Sequence, residues 1–458
     1  MLNGFVFGIT FRFRRDEMFT KKDLIKLIVP LIIEQILVVT VGMADGVMVA
    51  RVGEAAVSGV SIVDSINILL IGLFTAMATG GAVVSAQFLG QKNEKNASRA
   101  GKQLIVTSLA LALVVMVFTL IGRKFILDIL FRGVETDVMR NARIYFFYSA
   151  LSYPFLAVYN ACAALFRSMG NSKISMKISI LSNLINVVGN AILIFGFNMG
   201  VAGAAIATLV SRIVASVFMF ILLRNKKLPI YIDNILKYRP DKQMIKRILS
   251  IGLPNGMENS VFQIGKILVQ GIVAGLGTAS ITANAIASNI GGFGVLPGSA
   301  IGLALITVVG QVVGAGEYSA VKFYTKRLMA MTHIIMAGLN IIIIVLIPSI
   351  LKIYQVSEVT GELASTLMLY HCILSTFFWP PSFALPNALR AAGDVKFTMW
   401  VSMISMWVWR IGFSYILAIV FEIGVFGVWI AMTVDWVFRS ACFVYRLHKE
   451  KYRRITSI

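Results

Sequence analysis

Apolar residues fill most of this chain in long runs, broken by short clusters of charge, glycine and proline. Runs close to the ~20 residues that cross a bilayer fall near 25–50, 56–88, 104–121, 139–164, 175–196, 201–222, 248–274, 280–313, 328–350, 364–388, 398–420 and 424–445. The pattern predicts an all-α polytopic membrane protein with twelve transmembrane helices. No segment shows the ~10-residue alternation of an outer-membrane barrel. An even number of spans places both ends on one side.

The pattern also occurs twice. Displaced by 224 residues and without a gap, Pro30 aligns with Pro254, Glu34 with Glu258, Gly53 with Gly277, Ala55 with Ala279, Gln87 with Gln311 and Gly90 with Gly314. At the same offset "MGVAGAAIATLV" (199–210) meets "IGVFGVWIAMTV" (423–434), and at 223 "FRSMGNSK" (166–173) meets "LRAAGDVK" (389–396). The expected organisation is a terminal segment 1–23, a first lobe 24–222, a linker 223–247, a second lobe 248–447 and a basic tail 448–458. Two homologous six-helix bundles have the same topology, related by an axis along the membrane normal. Repeats of this kind let two bundles expose one site to each side in turn.

Composition agrees: 58% of the 458 residues are hydrophobic, 14% are charged, and the mean hydropathy is +0.84. A soluble domain carries about 25% charged residues. The net charge of +21 does not indicate nucleic-acid binding, because the basic residues sort by side. Of 42 Lys and Arg, 31 fall in the termini and the loops 89–103, 165–177, 223–247, 314–327 and 389–397; 7 fall on the other side and 4 within spans. The positive-inside rule then makes both termini cytoplasmic. The stretch "MLNGFVFGITFRFRRDEMFTKKD" lacks a small-residue cleavage site, so it does not read as a removable signal peptide. Either Met1 or Met18 could be the start. Cys162, Cys372 and Cys442 lie in apolar segments without metal-site spacing, so neither a disulfide framework nor a zinc site is expected.

Ionisable groups inside a bilayer are costly and therefore functional candidates. Asp45 follows Glu34 by 11 residues, which puts both on nearly one face of a helix, about 16 Å apart along the axis. The plain alternative for Asp45 is a helix-end acid paired with Arg51. Asn183, Asn186 and Asn190 share one face of helix 5 and Thr208 lies on helix 6; hydrogen-bonded glue between helices would use the same residues. Glu258 repeats Glu34, four residues after a matched proline, where either could gate or accept amides freed by the proline. Gln35 and Gln263 join Glu34, Glu258 and Asn183 as substrate or gating candidates. So do Lys266, Arg410 and Asp435; Lys266 and Arg410 are expected to pair with Glu258 or Asp435, because lone cations would repel a cationic substrate. Asp435 and Arg439 are spaced i, i+4, a favourable local pair. Asp64, three residues before Asn67, is expected near the outer interface, and His333 and His371 are read as structural. The 21 Met and 11% aromatic residues suit promiscuous binding of flat cations. "GGFGVLPGSAIGL" in helix 8 and Pro380, Pro381 and Pro386 in helix 10 are expected to bend those helices at a cavity.

"MADGVMVARVG", "LGQKN", "FRSMGN", "FGFNMGVAGAAIAT", "GLPNGMENSVFQIGK", "VVGQVVGAGE" and "LRAAGD" together resemble the multidrug and toxic compound extrusion (MATE) family over residues 20–447. The resemblance implies a V of two lobes around a central cavity. It further implies export of amphipathic, often cationic compounds in exchange for H⁺ or Na⁺. Asp45 stands where the family's helix-1 acid stands, and Asn186, Asn190 and Thr208 match positions that cooperate with it in archaeal members. There the position of Asn190 is commonly an aspartate; the amide here leaves the coupling ion open between H⁺ and Na⁺. Other branches carry a helix-7 acid where this chain has Phe262, and a helix-10 acid with no match in 364–388. A flippase for lipid-linked saccharides is the alternative in the same superfamily. It would favour extra helices and a strongly cationic cavity, neither evident in the sequence. A membrane-embedded transferase lacks its DDxxD or HExxH cluster, and no GxxxxGK[ST] sequence would bind ATP. The expected protein is thus a secondary transporter without a cofactor. It is expected to be a monomer in the inner (plasma) membrane, with aromatic cationic drugs and lipid as its partners.

Overall fold

The computed structural model describes residues 18–233 and 238–454. The choice between Met1 and Met18 as start, and the absence of a cleavable leader, concern segment 1–17, which lies outside the described residues. Twelve helical rods account for nearly all of what is described, with no strand among these residues. They are α1 Lys21–Ala50, α2 Glu54–Gly90, α3 Glu94–Leu130, α4 Thr136–Ser168, α5 Ser172–Gly196, α6 Gly200–Leu223, α7 Lys242–Ala274, α8 Thr278–Gly314, α9 Tyr318–Tyr354, α10 (358–391), α11 Val395–Val420 and α12 Val425–His448.

Several rods are longer than the apolar windows, because their ends project past the hydrocarbon into polar, capped turns. Thr20 and Asp23 cap α1 reciprocally. Gly53 and Gly277 supply the backbone with φ of +137° and +90° just before α2 and α8, a region that costs glycine nothing. Ten of the rods are long and apolar enough to cross a bilayer by themselves. The other two, α7 and α10, hold Asn255, Glu258, Gln263 and Lys266 in one case and three prolines in the other; their burial comes from neighbours.

The breakers act differently in the two helices expected to bend. In α10 the ladder widens to a π-turn at Pro380–Ala384, as the lost proline N–H requires. Helix α8 instead runs on through Pro297. Its glycines serve close approach: a Cβ at Gly291 would meet His371 Nε2 at 2.7 Å, one at Gly294 would meet Asn340 Oδ1 at 2.3 Å, and one at Gly298 would meet Trp379 at 2.3 Å.

The apolar core is shared by the two halves only on the face that carries the termini. One continuous cluster there joins Leu24, Leu27 and Leu31 of α1, Val83 and Val84 of α2, Ile248 of α7 and Leu305, Val308 and Val309 of α8. Toward the opposite face the core splits into clusters confined to one half or the other. The molecule is therefore sealed at the terminal face and divided beyond it.

The seal is built by repeat-mates. A Cβ on Gly90 would lie 2.0 Å from the Gln311 carbonyl oxygen, and one on Gly314 would lie 1.9 Å from that of Gln87. The same glutamines reach across: Gln87 Nε2 donates to Ala391 O at 2.9 Å, and Gln311 Nε2 to Ser168 O at 2.6 Å. Each α2/α8 side chain thus caps a helix end of the opposite half, where carbonyls lack intrahelical donors. Gly314→Ala and Gly90→Ala should each lower the melting temperature of the purified protein, because overpacking costs about 1–3 kcal/mol. Gly271→Ala, where a Cβ meets nothing within 4 Å, should not. Equal melting temperatures for all three would contradict the tight crossing.

Candidate functional site

In the first lobe, α1, α5 and α6 bring four separated residues into one chain of contacts. Asn190 Nδ2 donates to Asp45 Oδ1 at 2.6 Å and lies 3.5 Å from Asn186 Oδ1; Asn186 Nδ2 donates to Thr208 Oγ1 at 3.1 Å. Close approach of α5 and α6 makes this possible, since a Cβ on Gly189 would lie 3.0 Å from that of Ala207. Asn186 and Asn190 are buried, Asp45 is half-buried toward the divided side, and Asn190 Oδ1 has no donor. A carboxylate, two amide oxygens and a hydroxyl oxygen converge, a set suited to a hard monovalent cation or to a proton held at the carboxylate. Arg51 makes no ion pair with Asp45 among the described residues and is exposed. Asn183 stands one turn away, its Nδ2 buried without a partner.

A second polar cluster surrounds Arg212, one turn beyond Thr208 on α6. Asp64 is half-buried; it accepts from Asn67 Nδ2 at 3.2 Å and from Tyr145. Tyr153 Oη donates to Asn67 Oδ1 at 2.8 Å, and Arg212 Nη1 donates to Ser152 Oγ at 2.6 Å. The Arg212 guanidinium lies within electrostatic reach of both Asp64 and Asp45. Sequence reasoning did not single out Arg212. The available signal was that it lies at the middle of the apolar window 201–222, away from either end.

Glu34 and Glu258 prove to be members of a repeated ion pair, and neither accepts from a backbone amide among the described residues. Arg167 Nη1 lies 3.5 Å from Glu34 Oε1 and Ser175 Oγ donates to Oε2 at 2.8 Å. Arg390 Nη2 lies 2.6 Å from Glu258 Oε1, which also accepts from Ser402 Oγ at 2.7 Å. Arg167 and Arg390 are the mates within "FRSMGN" and "LRAAGD", so a glutamate on the first helix of each bundle meets an arginine closing the fourth. Both arginines had counted as loop charges; their side chains turn inward.

The second lobe departs further from expectation. Arg410 Nη1 lies 3.6 Å from Asp435 Oδ2 as anticipated, and Arg439 Nε lies 3.7 Å from Asp435 Oδ1. Ser405 Oγ donates to Asp435 Oδ1 at 2.5 Å. Glu258 is held by Arg390, with Arg439 Nη2 at 3.9 Å, so it is not the partner of Lys266 or Arg410. Lys266 has no ion pair among the described residues. Phe262 packs edge-on against Phe383 at 5.5 Å, and the Arg439 guanidinium lies 4.8 Å from the centre of the Phe383 ring. His333 Nδ1 contacts Thr376 O at 2.7 Å, and His371 is enclosed by Trp429 and Trp436; both are structural. Gln35 and Gln263 are half-buried and make no side-chain hydrogen bond found among the described residues.

Two sets of polar groups in two helical bundles, sealed on one face and split on the other, are the anatomy of a transporter. The family model MatE matches residues 30–192 and again 254–416, two stretches displaced by the same 224 residues as the repeat. The chain belongs to the MatE family, whose members are transporters and not enzymes. It is 26% identical over 416 residues to the uncharacterized transporter YisQ of Bacillus subtilis, covering 89% of this chain and 90% of that one. It is 26% identical over 434 residues to the probable multidrug resistance protein NorM of Thermotoga maritima, covering 92% and 90%. Among solved structures, MATE in the straight conformation superposes with a TM-score of 0.87 at 20% identity, over 94% of this chain and 97% of that one. An outward-facing multidrug resistance MATE transporter gives 0.85 at 22%, over 94% and 96%.

Removing one partner of a buried ion pair strands the other charge and costs about 3–5 kcal/mol, whereas replacing both costs far less. Arg390→Met should therefore lower the melting temperature more than the double change Glu258→Met with Arg390→Met. A double variant less stable than the single one would show that the pair is not the source of the stability.

Proposed function

We propose that this protein is a secondary active antiporter that exports amphipathic, often cationic compounds in exchange for H⁺ or Na⁺. The observation that carries the reading is the Asp45–Asn190–Asn186–Thr208 chain, a single carboxylate within a ring of neutral oxygens, half-buried toward the divided side. An ion bound there neutralises Asp45 in a medium where an uncompensated charge is costly, which favours one arrangement of α1 against α5 and α6. Relatives named as multidrug resistance and multidrug export proteins support the substrate class. The sorting of Lys and Arg supports a plasma-membrane protein with cytoplasmic termini, so the sealed terminal face is the inner one and the divided face opens outward. The transporter acts as a monomer, each lobe contributing half of the central cleft. Export of lipid-linked saccharides is the second reading; the surplus of cations in the second lobe favours it and the twelve-helix count does not.

In everted membrane vesicles, ethidium should accumulate when a H⁺ or Na⁺ gradient is imposed, and the effective gradient names the ion. Asp45→Asn should abolish that accumulation at unchanged protein level. Transport that persists in Asp45→Asn would move the coupling site elsewhere, and silence toward both gradients would overturn antiport.

A further inference from the structure

The pseudo-symmetry that repeats the fold reverses the charge. At the 224-residue displacement, Asp45 of the first lobe becomes Val269, Asn186 becomes Arg410 and Gly42 becomes Lys266. Where the first lobe gathers a carboxylate and amide oxygens, the second gathers Lys266, Arg390, Arg410 and Arg439 against Glu258 and Asp435: four cations and two carboxylates. The ion pairs found account for both carboxylates and leave Lys266 outside them.

Donors remain unused as well. Arg410 Nε and Arg390 Nε are buried without an acceptor, while Arg410 Nη1 and Arg439 Nε meet Asp435 only at ion-pair distances of 3.6 and 3.7 Å, and the acceptors Glu258 Oε2 and Asp435 Oδ2 also lack a hydrogen bond. Buried donors left without acceptors are costly and rare in native structures. Lys266 is placed to complete such a site. At ~100° per residue it lies between the α7 face that packs on α11, marked by Gly265 against Met406, and the face toward α2, marked by Gly252 and Gly256. The residue is exposed, ten residues beyond Gly256, where α7 packs on α2. Beside these cations stands an aromatic wall of Phe262, Trp379, Phe383 and Trp436, with Trp379 and Phe383 stacked at 5.2 Å.

We infer that the second lobe holds an anion site, lined by Lys266 and Arg410, for the carboxylate of an aromatic amphiphile. Zwitterionic compounds then bridge both lobes, with the cationic end toward Asp45 and the carboxylate toward Lys266. The inference rests on the export reading for its physiological meaning, but the site itself is a matter of binding and is tested without transport.

Rhodamine 110, which carries a free carboxylate, and rhodamine 123, its methyl ester, differ at that group alone. Equilibrium binding of each to the purified full-length protein is read by fluorescence polarisation. Lys266→Met should weaken rhodamine 110 by about tenfold, the loss of one charge-assisted contact, and leave rhodamine 123 within about twofold. Arg410→Lys, which keeps the charge opposite Asp435 but loses the fork, should also weaken rhodamine 110 selectively. Equal losses for both dyes, or none for either, would overturn the anion site. Displacement of rhodamine 110 by pyrophosphate but not by benzoate would overturn the carboxylate assignment in favour of a diphosphate. If binding discriminates but no gradient moves any dye, the antiport reading fails and the site stands.

Discussion

A charge in a hydrocarbon medium must find a partner or water, and the architecture of this protein follows from how each charge does so. Glu34 and Glu258 find arginines that the sequence places outside the apolar windows, Arg167 and Arg390. Asp435 finds Arg410 and Arg439 within the second bundle. Asp45 finds no cation in contact, only the amide of Asn190. Glu34 and Glu258 lie near the core that the two halves share, Asp435 lies beside the cluster confined to the second half, and the acid held by an amide lies where the halves part. Burial and pairing go together, and so do exposure and availability to an ion.

The seal at the terminal face uses backbone contact. Gly90 and Gly314 let α2 and α8 cross with glycine against carbonyl, and Gln87 and Gln311 satisfy the helix ends across the crossing. The seal is built mainly of amides and carbonyls, with Arg247 Nη2 donating to Gln87 Oε1 at 2.7 Å, so opening it exposes polar groups that water can take over. Its two-fold character comes directly from the duplication: one set of residues makes both halves of the contact. The Glu–Arg pairs are duplicated in the same way, through Arg167 and Arg390, the residues immediately before Ser168 and Ala391.

The duplication did not preserve the polar pockets. Arg410 stands at the position that Asn186 occupies in the first lobe, and Val269 at that of Asp45. Packing residues such as the glycines of α2 and α8 are held by van der Waals contact in both halves, whereas a cleft-facing side chain can change sign without disturbing the helices around it. Two pockets of unlike charge on either side of one cleft follow from that freedom.

The sequence by itself determined the class of fold, because apolar run length, the 224-residue displacement and the sorting of Lys and Arg are all one-dimensional consequences of a bilayer. Helical periodicity also aligned Asn186 and Asn190, four residues apart on one face of α5, whereas their contacts with Asp45 and Thr208 on other helices came from packing. What only the tertiary structure decided was which charge meets which. Lys266 lies eight residues from Glu258, yet Glu258 is held by Arg390 from a distant helix end, and Arg212 of α6 comes within electrostatic reach of Asp64 of α2. Long side chains on separate helices are brought together by interhelical packing, which spacing along the chain does not encode. For the same reason the function of the glycines of α8, read as breakers, became visible only when His371, Asn340 and Trp379 were seen filling the space that a Cβ would need.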